Sequence, residues 1–250
     1  MAAREAEGSG SLLMVVSAGL GLVHSTRRVP AYGLTLAGTV GLDAVRGRVL
    51  GPFDPTSWWR AVQAGPFATA LDDAFPAKGL AVMALSQPYA RLLAEELAAL
   101  DDARLVRLRI VGAGLAAILP KRVAQASILP YDERLDKVSP GVRGEFAQRA
   151  LRHFLGLVQS GPTTPGADTG ITAHRALVTA ALGEASPPVA TRRPRLTDRA
   201  IAARIAERAP PGSKWPGAAA MLKALRHDDG IACEASRFSR IYRQVAGTTR

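Results

Sequence analysis

Three runs of aliphatic residues, each followed by a loop of small or polar residues, constrain most strongly what this chain can fold into. They occupy residues 12–16, 80–85 and 105–111, of which the first two are continuous and the third alternates Arg with aliphatic residues. Continuous apolar runs are typical of strands that are buried on both faces, as in parallel sheets. Repeated strand, loop and helix segments predict a mostly parallel sheet flanked by helices, with three loops meeting along one edge. We therefore expect an α/β domain over residues 1–158.

The loop that follows the first run is a candidate ligand site. Ser17-Ala18-Gly19 come directly after the run of residues 12–16. Small residues allow a ligand to approach the backbone closely, and the N–H groups of such a loop can bind an anion or a carbonyl oxygen. Open α/β sheets bind their ligands at this end of the strands. An ordinary turn with nothing bound is the alternative interpretation.

Helices are predicted between and after these runs. Trp58-Trp59 opens an amphipathic helix with Asp54 or Thr56 as its N-cap, and Pro88 suits the first turn of a helix that continues to Leu100. Apolar residues at helical spacing predict a further helix over residues 144–158.

The C-terminal segment differs from the rest of the chain in its charge. The chain carries a net charge of +11. Residues 191–250 hold 13 Lys and Arg against 5 Asp and Glu, whereas residues 1–190 hold 19 against 16. A concentrated basic charge in a foldable segment predicts a polyanionic partner, and the pattern favours nucleic acid over a membrane surface.

Residues 159–195 are rich in Gly, Pro and Thr, and they predict a linker that contains one short helix, 171–182. Three helices are predicted beyond it, at 198–208, 216–227 and 233–245, with Thr197 or Asp198 as the first cap. Short basic helices of this kind predict a small helix-turn-helix-like or winged DNA-binding domain over residues 196–250. A helical oligomerisation or capping domain with a solvated basic face is the alternative.

Missing motifs disfavour several kinds of chemistry. The single cysteine, Cys233, excludes an internal disulfide and a cysteine-cluster metal site, and it fits a reducing compartment. The four histidines have no ligand-like spacing, so we expect no metal and no cofactor, with a carboxylate-bound magnesium ion left open. There is no Gly-x-Ser-x-Gly elbow and no Gly-Lys-Ser/Thr phosphate loop.

Because no apolar run reaches the roughly 18 residues of a membrane span, we expect a cytoplasmic protein without a membrane partner.

Short motifs in the first domain resemble a known family. The segment Ser17-Ala18-Gly19-Leu20-Gly21-Leu22, with Pro30-Ala31-Tyr32 shortly after it, resembles the YaaA-type family of DNA-associated α/β proteins, which has a Ser-Gly-x-Tyr-Gly-x-Leu loop and then a Pro-Tyr pair. Leu85-Ser86-Gln87-Pro88-Tyr89 is similar to that family's later Ala-Ser-x-x-Tyr segment. The resemblance covers residues 12–155. The chain differs from the family at Leu20, where the family has Tyr. The basic C-terminal segment of the chain has no counterpart in the family.

The resemblance implies a function on DNA. The predicted sheet also resembles the uracil-DNA-glycosylase type of fold, which occurs in bacterial systems that excise or exchange modified DNA bases, including antiviral defence against phages. By this resemblance we expect a protein that binds DNA, flips a base out of the helix and excises it.

Excision of a base requires a carboxylate that orients water or stabilises an oxocarbenium-like sugar. Asp132 is the first candidate, because Pro130-Tyr131-Asp132-Glu133-Arg134 combines a rigid turn, an aromatic residue and a carboxylate. A structural turn aspartate paired to Arg134 is the alternative. Asp136, Asp54 and Asp43 are weaker candidates.

Side chains for binding the base and the phosphates complete the predicted site. Polar and aromatic residues on the loop edge are candidates for hydrogen bonding to, or stacking on, an extruded base, namely Ser17, Tyr32, Ser86, Gln87 and Tyr89. Basic residues are candidates for phosphate contacts, namely Lys121, Arg122, Arg143, Lys214, Lys223, Arg226, Arg237, Arg240 and Arg243.

The sequence thus predicts a DNA glycosylase that excises a base, expected to be a modified one, and leaves an abasic site. A non-enzymatic DNA-binding protein, acting in stress protection or regulation, is the main alternative. A nucleoside glycosyl-transfer enzyme whose tail serves oligomerisation is a further alternative.

Overall fold

The computed structural model describes residues 12–36, 41–160, 170–183, 194, 196–209 and 215–248. They belong to two compact units, Met1–Pro188 and Val189–Arg250. Over the described residues, no helix combines the length and the apolar character needed to cross a bilayer.

The first unit is a mixed α/β fold with two short sheets. Its strands are β1 (Met14–Ser17), β2 (Gly21–His24), β3 (Ala81–Ala84) and β4 (Leu108–Val111). Its helices are α1 (Gly41–Arg46), α2 (Pro55–Gln63), α3 (Leu71–Ala74), α4 (Gln87–Ala99), α5 (Asp102–Arg107), α6 (Lys121–Ser127), α7 (Leu135–Val138), α8 (Phe146–Ser160) and α9 (Ile171–Leu182). Short 3-10 turns lie at Leu115–Ala117 and Arg143–Glu145.

A parallel pair of strands lies at the centre of this unit. β3 and β4 pair in parallel, and Ile128 extends the pairing through a parallel bridge to Ile110. Side chains alternate between the two faces of the pair. Ala81 and Met83 pack into one apolar cluster together with Leu108 and Ile110, whereas Val82, Ala84 and Val111 pack into a second cluster. The pair is therefore covered by helices on both faces, with α4 and α6 in the first layer and α8 and α9 in the second.

The first aliphatic run does not join this parallel pair, contrary to the prediction. β1 pairs antiparallel with β2, and Val15 in β1 is 49% exposed. The chain reverses at Gly21, which has φ +79° and lies so close to Gln63 that a Cβ atom would be 2.3 Å from Oε1. Because the reversal takes only three residues, 18–20, the run finds its hydrogen-bonding partner in Gly21–His24. The parallel part of the fold is accordingly narrower than the sequence predicted.

The third run is also shorter as a strand than predicted. Residues 102–107 are helical, and only Leu108–Val111 are extended. Asp101 explains the helix, since its carboxylate accepts a hydrogen bond from the backbone N–H of Arg104 at 2.7 Å and caps the helix N-terminus.

Helix α2 was predicted correctly, including its cap. Asp54 accepts a hydrogen bond from the Ser57 N–H at 2.7 Å, and Trp59 is buried while Trp58 is half-buried. The predicted helix at 171–182 also forms, but it packs against α8 in the second apolar cluster. This part of the segment expected as a linker therefore contributes to the core of the first unit.

The second unit consists, over its described residues, of α10 (Asp198–Arg208), α11 (Ala218–His227) and α12 (Ala235–Thr248). Thr197 caps α10 through a hydrogen bond from the Ala200 N–H to Oγ1 at 3.3 Å. Ile201, Leu225 and Phe238, one from each helix, are buried in a common apolar cluster that also contains Cys233. The three predicted helices are thus present.

Gly112 offers a test of the parallel pair. A Cβ atom there would be 2.0 Å from the backbone oxygen of Leu85, so Gly112→Ala must push β3 and β4 apart. We expect a loss of about 1–3 kcal/mol or more in unfolding free energy, measured by urea denaturation with far-UV circular dichroism. Gly156→Ala is the matched control, because Gly156 lies inside α8 with nothing within 4 Å of its Cβ position. The control should gain about 0.5–1 kcal/mol, and equal shifts for the two variants would contradict the argument.

Candidate functional site

Two residues of the predicted base-binding set, Ser17 and Tyr32, lie together. Ser17 ends β1 and is buried, and its hydroxyl makes a short hydrogen bond with the Tyr32 hydroxyl. The same Ser17 oxygen accepts a hydrogen bond from the Leu20 N–H at 3.1 Å, and the Tyr32 ring passes close to Gly19. Tyr32 remains 46% exposed. Ser17 therefore orders the hairpin loop, and only the Tyr32 ring presents a surface to a ligand.

The other three residues of the set follow β3. Ser86 and Gln87 are exposed at the start of α4, whereas Tyr89 is half-buried against the first apolar cluster. The Gln87 amide donates to the backbone oxygen of Ala113 at 3.4 Å, in the loop that follows β4. Ser86 and Gln87 consequently have polar atoms at the surface of this edge, and Tyr89 serves mainly in packing.

Asp132 lies in a loop at the same edge, four residues after the Ile128 bridge to β4. Its carboxylate accepts hydrogen bonds from the Arg134 backbone N–H at 2.9 Å and from Arg134 Nε at 2.9 and 3.0 Å. Arg134 in turn donates to the backbone oxygen of Gly183 at 3.0 Å. The hydrogen bonds from Arg134 hold the pKa of Asp132 below its ordinary value. The carboxyl group is therefore ionised at neutral pH and anchors the loop to the end of α9.

A second polar pair, which the sequence did not predict, lies beside Asp132. The Tyr131 hydroxyl and His153 Nδ1 are 2.9 Å apart, and the two rings meet edge to face. Burial raises the pKa of Tyr131 and lowers the pKa of His153, so both groups are neutral at pH 7. Because Tyr131 belongs to the loop and His153 to α8, no spacing rule in the sequence connects them.

A buried arginine was also missed. Arg109 in β4 is fully buried, and its Nε donates to His174 Nδ1 of α9 at 2.8 Å. It also donates to the backbone oxygens of Val106 and Leu108 at 2.8 and 2.7 Å. These bonds tie the strand to the second helical layer. The alternation of Arg and aliphatic residues over 105–111 was the available signal, but it was interpreted only as a strand.

The phosphate-binding candidates of the first unit have different surroundings. Arg122 pairs with Asp102 at 2.6 Å and donates to the backbone oxygen of Leu100 at 2.9 Å, so it fastens α6 to the end of α4. Lys121 and Arg143 are exposed. Arg122 would have to give up these contacts in order to bind a phosphate as predicted.

In the second unit, Asp198 is the centre of an ionic cluster. It lies in the first turn of α10 and accepts hydrogen bonds from Arg237 Nε at 2.7 Å and from Arg240 Nη2 at 2.8 Å, both from α12. These hydrogen bonds, first from Arg240 and then from Arg237, hold the pKa of Asp198 below its ordinary value. Arg237 also donates to the backbone oxygen of Leu196 at 2.8 Å. Arg237 is therefore an internal anchor, unlike the predicted phosphate contact.

Arg226 is likewise engaged within the unit, because its Nη2 donates to the backbone oxygen of Cys233 at 2.7 Å. Lys223 is exposed on α11. Arg243 is exposed on α12, and its Nε donates to the Ser239 oxygen of the same helix at 3.2 Å. Lys214 lies outside the described residues. Lys223, Arg240 and Arg243 are thus the predicted phosphate-binding residues with charged atoms directed to the surface of this unit.

The other acidic residues of the unit form ion pairs or hydrogen bonds within it. Arg208 pairs with Asp228 at 3.1 Å and with Asp229 at 2.7 Å, and Arg204 pairs with Glu207 at 3.1 Å. Glu234 accepts a hydrogen bond from the Ser236 N–H at 3.2 Å, at the start of α12. Helix α12 itself contains three arginines and no acidic residue. Arg240 and Arg243 therefore give its exposed side a positive charge, with Asp198 as the acidic partner of Arg240.

No family model, curated protein or solved structure matches this chain.

The ionic contacts predict how the second unit responds to acid. Asp198 and Asp229 have folded-state pKa values below their ordinary values because arginines hydrogen-bond to them. Their contribution to stability is present above pH 4 or so and is lost as the pH falls through the folded-state values. The expected result is a decrease in the stability of α10–α12 as the pH falls below about 4, followed by fluorescence of Trp215, the only tryptophan of this unit. A variant with Asn at both positions should be less stable at pH 7 and less sensitive to acid, and an unchanged acid transition would contradict this.

Proposed function

We propose that this chain is a DNA-binding protein and that α12 supplies the principal contact with the phosphate backbone. The observation that carries the proposal is the composition of the exposed side of α12. Ser236, Arg240 and Arg243 follow one another at intervals of four and three residues and so form one stripe. Phe238, Ile241 and Tyr242 pack into the core of the unit. We call the set Ser236, Arg240 and Arg243 the α12 stripe.

The charge balance of the unit favours nucleic acid over a lipid surface. A helix that binds at a membrane interface presents large apolar side chains on the side that meets the lipid. The α12 stripe has none, because the apolar residues of this helix are directed into the unit. Arginine side chains are suited to phosphate oxygens, whereas the Ser236 hydroxyl already donates to Glu234 at 2.6 Å.

The resemblance of residues 12–155 to the YaaA-type family supports the same class of partner. Ser17 and Tyr32, which carry part of that resemblance, are hydrogen-bonded to each other at the end of β1. We accordingly propose DNA as the shared partner of both units. A helix-turn-helix arrangement is not required for this, and the connection 228–234 between α11 and α12 is longer than the three or four residues of that motif.

Salt dependence of DNA binding tests the proposal. Fluorescence anisotropy of the full chain with a labelled DNA should show affinity falling by at least tenfold between 50 and 200 mM salt. Lys223→Ala and Arg243→Ala should each weaken binding and reduce the slope of log K against log salt by about one, because each removes one phosphate contact. Arg204→Ala is the control, since Arg204 is already paired with Glu207. Absence of salt-sensitive binding, or equal effects of all three variants, would refute the proposal.

Base excision by the first unit is a second candidate function. The observation in its favour is that the Asp132 carboxylate is ionised and 43% exposed, at the edge where Gln87 and the loop after β4 also lie. An ionised carboxylate stabilises the oxocarbenium-like sugar that forms when a base departs. The neutral Tyr131–His153 pair beside it has one hydrogen-bond donor left for the departing base, because the other is used between the two residues.

Incubation with DNAs that carry different modified bases tests this second function, with mass spectrometry of released bases and cleavage at abasic sites. Asp132→Asn should lower base release by at least a hundredfold and leave DNA affinity unchanged, because it removes a charge and little volume. Asp54→Asn is the matched control, since Asn also caps a helix well. If no DNA releases a base, the protein is a non-enzymatic binder and the first proposal stands alone.

A further inference from the structure

Arg240 is held in a specific orientation by a single carboxylate oxygen. Its Nη2 donates to Asp198 Oδ2 at 2.8 Å, while Arg237 binds the other oxygen, Oδ1, through Nε at 2.7 Å. Asp198 therefore bridges two arginines of α12 from the first turn of α10. The side chain of Arg240 stays 53% exposed. A guanidinium that is fixed before binding loses less conformational entropy when it meets a ligand.

The two arginines differ in how many of their donors remain. Arg237 binds both Asp198 and the backbone oxygen of Leu196. Arg240 uses Nη2 alone, and its Nε and Nη1 have no hydrogen-bond partner among the described residues. Nη2 belongs to both paired edges of a guanidinium and has two N–H groups. Asp198 accepts from one of them, so the other remains, beside Nε–H or an Nη1–H, to bind a planar acceptor pair. Such a pair of parallel hydrogen bonds is what makes arginine selective for a particular ligand geometry.

The dimensions of α12 match the major groove of duplex DNA. Seven residues separate Ser236 from Arg243, and at 1.5 Å per residue they span about 10.5 Å, or three base-pair steps of 3.4 Å. The neighbouring residues Ser239, Ala246 and Gly247 are small, so the backbone of the helix can approach the floor of the groove closely. The major groove admits an α-helix and presents the O6 and N7 acceptors of guanine as a planar pair.

We propose that Arg240, positioned by Asp198, reads a guanine in the major groove of duplex DNA. This inference rests on the proposed DNA-binding function and adds sequence selectivity to it. Arg240 binds guanine O6 and N7 through the N–H groups that Asp198 leaves free, and Asp198 is a positioning residue that does not touch the DNA. Arg243 lies one turn further along the stripe. It contributes positive charge for phosphate binding, but no carboxylate among the described residues holds it as Asp198 holds Arg240. A preference for guanine at one position of the bound site follows.

Selection from a library of randomised duplexes by the full chain tests this inference, followed by affinity measurements on the selected site. The unaltered protein should prefer guanine at one position by about tenfold or more. Arg240→Lys keeps the charge but not the planar pair of donors, so non-specific affinity should stay within about twofold while the preference disappears. Circular dichroism spectra must show equal helicity for the variants that are compared.

The Asp198→Asn variant distinguishes the effect of Asp198 on the position of Arg240 from the effect of its negative charge on DNA affinity. Removal of a negative charge should raise non-specific affinity, whereas loss of the support for Arg240 should reduce the guanine preference. A merely structural role would lower both together. Arg204→Ala should change neither, since Arg204 pairs with Glu207 on α10.

The outcomes distinguish this inference from the proposed function. Salt-sensitive binding without any base preference, preference for single strands, or a preference that survives Arg240→Lys would overturn the reading role and leave DNA binding intact. Failure to bind any DNA would overturn both.

Discussion

The backbone hydrogen bonds across the parallel pair are the interaction on which the first unit depends. The Leu85 N–H donates to the Val111 oxygen at 3.0 Å, and the Leu129 N–H donates to the Ile110 oxygen at 3.0 Å. These bonds hold three chain segments side by side, so that alternate side chains enter two separate apolar clusters. The same alignment brings the loops after β3, β4 and Ile128 to one edge. The position of Gln87 and Asp132 at that edge is therefore a consequence of strand pairing rather than of any local motif.

A network of half-buried polar groups joins the hairpin to this core. Gln63 accepts a hydrogen bond from the Leu22 N–H at 2.6 Å and donates to Glu96 at 3.2 Å, while Trp59 also donates to Glu96. Trp58 donates to the Ala18 oxygen at 2.7 Å. Since buried polar groups are costly unless paired, this network selects one placement of the hairpin. It explains why the loop that bears Ser17 is ordered although it belongs to a two-stranded sheet.

In the second unit, ionic contacts decide which cations remain for a ligand. Asp198, Asp228 and Asp229 engage arginines across helices, and the acid-free helix α12 keeps a positive exposed side. These pairs are partly exposed, so their separate contributions to stability are small. Their larger effect is geometric, because they restrict Arg237 and Arg240 to defined directions. A simple count of basic residues does not distinguish anchors from surface charges.

Local patterns in the sequence predicted α2, α4, α8, α9 and the three helices of the second unit, but not α5, which forms where a strand was predicted. Asp54, Pro88 and Thr197 mark helix starts by hydrogen bonds or backbone constraints within three or four residues, and the three helices of the tail follow from apolar spacing. Only the tertiary structure decided which strand pairs with β1 and that Tyr131 contacts His153. It also decided that Arg237 is anchored inside the unit while Arg240 stays exposed. Tyr131 and His153 are 22 positions apart, and Asp198 and Arg240 are 42 apart. The partner of β1 is close in sequence, but its pairing depends on which strand can hydrogen-bond first. Side-chain type and spacing carry no information about such pairs, since they arise from packing of the whole unit.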